Sequence, residues 1–135
     1  MNYTNNIQEC CDKIEGGGVV IYPTDTVLGL GCDATNKNAV TRLMNIKKRE
    51  QKKGLIILVD SINMLSKYVE KIPEVAIEKI KTTNIPITIV YPSPVNLPSL
   101  LCNNNSIAIR ITKNKYCKQI ISKIKKPIVS TSANI

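Results

Sequence analysis

The chain contains no histidine, no tryptophan and no phenylalanine; its aromatic residues are five tyrosines. Without histidine it lacks the usual general base of neutral-pH catalysis, and with it the Ser-His and Cys-His nucleophile pairs. The five cysteines are an adjacent pair, Cys10 and Cys11, and the scattered Cys32, Cys102 and Cys117, with no C-x-x-C spacing. An odd, unpatterned set without histidine is neither a disulfide framework nor a zinc site, and fits a reducing compartment. The scarcity of aromatics argues against platforms on which bases stack. No apolar run approaches the roughly 18 residues needed to span a bilayer. The N-terminus, MNYTNNIQE, lacks the basic-then-apolar plan of a signal peptide. A cytoplasmic protein without a membrane partner is expected, and any catalysis should rest on positioning and electrostatics.

What is present is the composition of a globular protein: 135 residues, 43% hydrophobic and 21% charged. That length suits one domain, residues 1–135, large enough to bury a sizeable core. Nineteen basic residues against ten acidic leave a net charge of +9. Such an excess favours an anionic partner: a nucleotide, bicarbonate or RNA. The chain is also heavy in Lys, Asn and Ile, and lysines spread over a solvated surface would give the same sum, so charge alone does not choose.

The chain is organised around VVIYPTDTVLGLGCD, Val19 to Asp33. Val19 to Tyr22 has the β-branched and aromatic composition of a buried strand, which Pro23 stops by removing a ladder donor. Thr24, Asp25 and Thr26 follow at the strand's end, where open α/β sheets bind ligands. Leu28 to Gly31 then return the backbone to the apolar interior. Before this stretch, Ile7, Cys10, Cys11 and Ile14 recur at helical spacing over 6–15. After it, Asn36 or Thr35 caps a helix from Lys37 to about Ile46 that runs into the basic segment KKREQKK, residues 47–53. Basic residues at a helix end also complement its dipole. Leu55 to Val59 reads as a strand. Asp60 or Ser61 caps a helix through about Val69, and Pro73 suits the first turn of another, up to Lys81. Ile87 to Tyr91 and Ser106 to Ile111 are further strands, with loop between them. Arg110 sits among isoleucines, either an edge charge or a bidentate carboxylate holder. Lys115 to Ile124 is a basic amphipathic helix, and a last strand from Ile128 delivers Ser130, Ser132 and Asn134. Alternating strands and helices make this an α/β domain around one twisted sheet.

Two polar strand ends, TDT and STSAN, together with the basic segment suggest a pocket ringed by hydroxyls and cations and without a nucleophile. Such a pocket suits nucleotidyl transfer, where neutralising phosphate charge and positioning do most of the work, and not covalent hydrolysis. The residues by themselves reach an anion-binding α/β domain and no further.

YPTDTVLGLGCD resembles the signature of the YrdC-like family of L-threonylcarbamoyladenylate synthases. Two further blocks agree in order: Lys47-Lys48-Arg49 followed by Lys53-Gly54-Leu55-Ile56, and Ser130-Thr131-Ser132-Ala133-Asn134. The resemblance implies a single-domain α/β fold, a twisted mixed sheet with flanking helices around a basic concave cavity. It implies condensation of L-threonine, bicarbonate and ATP, with Mg²⁺ accompanying the triphosphate, into threonylcarbamoyl-AMP and pyrophosphate. That product feeds threonylcarbamoyladenosine (t6A) formation in tRNA, which brings other proteins of that modification as partners. Carried over position by position, Thr26, Arg110 and Ser130 contact threonine. Arg49, Lys53, Ser106 and Ser132 contact ATP, and Lys47, Arg49, Ser132 and Asn134 form the family's catalytic tetrad. No protein metal ligands are implied. The chain departs from the family at Asn84-Ile85-Pro86-Ile87-Thr88, where a proline-glycine-proline-x-threonine run is usual, and by ending at Ile135, which reads as a shortened C-terminus. Two other readings share the resemblance: a non-catalytic module binding tRNA or double-stranded RNA by backbone and shape, and a carbamoyl-transfer domain like those of hydrogenase maturation proteins.

Overall fold

A computed structural model describes residues 2–3, 6–23, 28–47 and 55–132. In chain order these form β1 (Asn2–Tyr3), α1 (Ile7–Glu15), β2 (Val20–Pro23), β3 (Leu28–Asp33), α2 (Lys37–Lys47), β4 (Ile56–Val59), α3 (Ile62–Leu65), α4 (Glu74–Thr82), β5 (Thr88–Pro92), a 3₁₀ turn (Ser99–Leu101), β6 (Ser106–Ile111), α5 (Lys115–Ile124) and β7 (Ile128–Ser132). The strands make one seven-stranded sheet in the order β1-β2-β3-β7-β4-β6-β5. It is mixed: β1/β2 and β4/β6 pair in parallel, and the other neighbours are antiparallel.

Short polar side chains start four of the five described α-helices; α4 starts after Pro73 without a side-chain cap. Asn6, Asn36, Ser61 and Asn114 accept hydrogen bonds from the backbone N–H three residues on, at 2.8, 3.0, 3.1 and 2.9 Å. The two open choices of cap therefore fall to Asn36 and Ser61. The amphipathic helices α1 and α5 lie against each other, burying Cys10, Cys11 and Ile14 of one and Cys117, Ile120, Ile121 and Ile124 of the other. The Cys11 thiol points at the Ile120 carbonyl, 3.9 Å away.

Three expectations about elements need correction. Leu28 to Asp33 is not a mere return of the backbone but a full strand, which separates β2 from β7. The helix expected through Val69 stops at Leu65. There the Ser66 hydroxyl bonds the Asn63 carbonyl at 2.6 Å, and Val69 leaves to form a bridge with Pro94. The last strand extends to Ser132, so Ser130 lies within the ladder and not at its end.

Candidate functional site

The register of the sheet decides which residues share a face. Side chains directly opposite each other in neighbouring strands project the same way, and alternate along each strand. One row across the sheet runs Tyr22–Gly29–Ser132. The next runs Val20–Gly31–Ser130–Ile56. A third links Ile128, Leu58, Arg110 and Thr88. Ser106 lies four residues before Arg110 on β6, on the same side of the pleat. Arg110, Ser106, Ser130 and Ser132, named from sequence as ligand contacts, therefore occupy one face of one sheet. Strand spacing puts the Cα atoms of Ser130 and Arg110 roughly 12 Å apart, a gap that a long arginine side chain narrows to the size of an amino acid.

One end of the sheet collects the strand ends that border the motif blocks in sequence. The ends of β2 and β7 and the starts of β3, β4 and β6 lie there, as the pairs Pro23↔Leu28, Gly29↔Ser132 and Ile56↔Ser130 show. The chain leaves toward 24–27 at Pro23, enters β4 from 48–54, and leaves toward 133–135 at Ser132. Thr26, Arg49, Lys53 and Asn134 lie outside the described residues. Because β2 and β7 each pair antiparallel with β3, this end is not the carboxyl-end crevice of a parallel sheet, on which the first reading of TDT rested.

The described residues supply three fixed contacts. The Lys47 ammonium, in the last turn of α2, donates to the Ser132 carbonyl oxygen at 2.6 Å. This joins the basic block to the serine block across 85 residues of sequence. The Arg110 Nε donates to Thr88 Oγ1 at 2.9 Å, which leaves the end-on pair of terminal nitrogens as the fork open to a carboxylate. The third contact joins the Tyr22 hydroxyl to Ser130 Oγ at 2.8 Å, in the buried interior. Ser106 differs: its hydroxyl donates to the Asn103 carbonyl at 2.6 Å and closes the preceding loop.

Burial raises the titration of several groups near this face. It pushes the Tyr22 phenol far above its ordinary value, and the Cys117 thiolate would add to that rise. The Cys10 thiol is pushed up to about 12, first by burial and then by its neighbour Cys11. These groups stay protonated at neutral pH and supply hydrogen bonds, not nucleophiles. Among the described residues no group of His, Cys, Asp and Glu could hold a metal ion, and no helix is long and apolar enough to cross a membrane. The opposite side of the sheet has a small apolar hollow against α4, lined by residues including Ile80, Ile89, Tyr91 and Ile109. Its lysine, Lys113, already donates to the Thr83 carbonyl at 2.8 Å. It offers no converging polar groups.

Thr88 and Tyr22 were not singled out as site residues from sequence. A tyrosine closing an apolar strand run carries a hydroxyl that must find a partner when buried, which was the available signal.

A model of the Sua5/YciO/YrdC family, described as "Telomere recombination", matches residues 12–135. The chain belongs to that family. A threonylcarbamoyl-AMP synthase from Aliivibrio fischeri is 37% identical over 134 residues, which are 96% of this chain and 72% of the relative. One from Pseudoalteromonas translucida is 42% identical over 123 residues, 88% of this chain and 66% of the relative. In three dimensions the chain superposes on Sua5 of P. abyssi complexed with L-threonine with a TM-score of 0.86 at 30% identity. That match covers all of this chain and 42% of the larger protein. The chain therefore spans about two thirds to three quarters of these two synthases and under half of the P. abyssi protein. The α/β mixed sheet with flanking helices expected from the resemblance is the fold observed.

Proposed function

We propose that residues 1–135 form one YrdC-like domain that condenses L-threonine, bicarbonate and ATP into threonylcarbamoyl-AMP, with release of pyrophosphate. The observation that carries this reading is the Arg110 fork on the same sheet face as Ser130 and Ser132, with Lys47 tied to the Ser132 carbonyl. The planar guanidinium fits a carboxylate bidentately, and Thr88 holds it from behind. The naming of the bacterial relatives and the threonine complex of the P. abyssi protein support the same reading.

In this scheme the threonine amine adds to bicarbonate with loss of water, giving a carbamate. A carbamate oxygen then attacks the α-phosphorus of ATP, forming the new P–O bond as the bond to the β-phosphate oxygen breaks. Pyrophosphate leaves, and Mg²⁺ arrives with the triphosphate as part of the substrate. The chain's own share is positioning and charge: Arg110, Thr26 and Ser130 hold threonine, while Arg49, Lys53, Ser106 and Ser132 face the nucleotide. Lys47 and Asn134 complete the set that neutralises charge building on the phosphates. The adenylate would pass to a partner acting on tRNA in the cytoplasm.

The test is pyrophosphate release from Mg-ATP. Release that requires both L-threonine and bicarbonate supports the proposal. A chain that releases none, yet binds tRNA or double-stranded RNA, is instead a nucleic-acid-binding module of the same fold.

A further inference from the structure

Tyr22 has no role in the scheme above, and its placement is unusual. Its side chain is fully buried, yet it carries a hydroxyl. The ring passes over Gly31 on the next strand to reach the strand beyond, where the hydroxyl meets Ser130 Oγ at 2.8 Å. Gly31 is what allows this path. A Cβ at that position would stand 2.8 Å from Tyr22 Cε1 and 3.2 Å from its hydroxyl oxygen. The far side of the ring is stacked on Tyr116 of α5, with centroids 6.2 Å apart and planes 12° off parallel. The Tyr22 hydroxyl is thereby held by packing on both faces of its ring, and its position is not adjustable.

Ser130, by contrast, has a side chain with three staggered positions and little to choose among them. It is nearly buried, in the row adjacent to that of Arg110. A hydroxyl can donate one hydrogen bond and accept two. Of the two hydroxyls the phenol is the more acidic and the better donor, so its proton is assigned to the bond with Ser130 Oγ. With the phenol donating to Ser130 Oγ, the serine's own proton is left for a ligand acceptor.

The geometry points to Tyr22 as a positioning residue: it fixes the Ser130 rotamer so that the serine hydroxyl donates to the carboxylate of the amino-acid substrate. This deepens the threonine reading and rests on it. Burial, which holds the phenol protonated far above neutral pH, keeps Tyr22 a donor over the whole working range. The effect is confined to one substrate. ATP contacts sit on other residues, so losing the Tyr22 hydroxyl should leave nucleotide binding untouched.

The experiment uses calorimetric titration of the whole chain with L-threonine and, separately, with Mg-ATP. Tyr22→Phe keeps the ring, the stacking and the path over Gly31, and removes only the hydroxyl. Its affinity for threonine is expected to fall about tenfold, the usual effect of one hydrogen bond to a charged partner, while ATP affinity stays the same. Ser130→Ala, which leaves Tyr22 in place, should lose threonine affinity by a similar factor. The double variant should lose no more than either alone, because both changes remove one unit. A purely structural Tyr22 would lower thermal stability without separating the two ligands. Unchanged threonine affinity in Tyr22→Phe or in Ser130→Ala overturns the inference, as does an equal loss for threonine and ATP, or additive losses in the double variant. If the unaltered chain fails to bind threonine, the functional reading itself falls, and this inference with it.

Discussion

Removing the Arg110 guanidinium tests the substrate face most sharply. Arg110 is partly exposed on β6, between Leu58 of β4 and Thr88 of β5. Its Nε is occupied by Thr88 Oγ1 at 2.9 Å, so the end-on pair of terminal nitrogens is the fork available to a carboxylate. Arg110→Ala removes that fork and one hydrogen bond to Thr88. A hydrogen bond to a charged group contributes about 1.5–3 kcal/mol, so threonine affinity should fall between roughly tenfold and 150-fold. Fold stability should change by under about 1 kcal/mol, because the group is solvent-accessible and no described residue is a buried charge partner that its loss would strand. Arg110→Lys restores the charge but not the planar fork, and should recover only part of the affinity. Thr88→Val, which keeps the branched shape of the strand residue, should cost a smaller part by releasing the guanidinium from its fixed orientation. Calorimetric titration with threonine and with Mg-ATP reads all three variants, and denaturant unfolding reads stability. Equal losses for both ligands would refute the division of roles, and full recovery by lysine would refute the bidentate argument.

Two further outcomes follow from packing and burial. Gly31→Ala should destabilise the fold by about 1–3 kcal/mol in denaturant unfolding, since the new methyl meets the Tyr22 ring at 2.8 Å and the Val129 carbonyl oxygen at 3.0 Å; an unchanged midpoint would contradict the packing of Tyr22. Cys10 and Cys32 titrate near 12 in the fold, raised mainly by burial from an ordinary 9.0. Below pH 9 both states are neutral and stability is insensitive to these thiols. Between about 9 and 12 only the unfolded chain ionises, so stability should fall by up to about 1.4 kcal/mol per pH unit for each thiol. A melting temperature that stays flat from pH 8 to 11 would contradict their burial.

Much of this fold was legible because local chemistry and tertiary context agree. The spans of β6 and α5 follow directly from SIAIRI and from the spacing of Cys117, Ile120, Ile121 and Ile124. The cap choices at Thr35/Asn36 and Asp60/Ser61 marked two of the helix starts within a residue or so. The strand β3 escaped because LGLGCD carries two glycines, which weaken a strand unless something crosses them closely. At Gly31 the crossing group is Tyr22, a contact between residues that no local rule connects. The early end of α3 was hidden for a related reason, since its competitor is the non-local bridge from Val69 to Pro94. The candidate site was legible as a set of residue types and not as a geometry. That Arg110, Ser106, Ser130 and Ser132 share one face depends on strand order, which composition does not encode. The Lys47–Ser132 contact, spanning 85 residues, is likewise a product of topology.

The central claim, synthesis of a threonylcarbamoyl adenylate, is tested most directly by isotopic trapping. The chain is incubated with carbon-labelled bicarbonate, L-threonine labelled at a second isotope and Mg-ATP, and the products are separated by chromatography under mild conditions. The account predicts one adenylate carrying both labels, formed together with pyrophosphate and absent when threonine is omitted. Pyrophosphate or AMP formed with neither label retained in a nucleotide, or no nucleotide turnover at all, would contradict it.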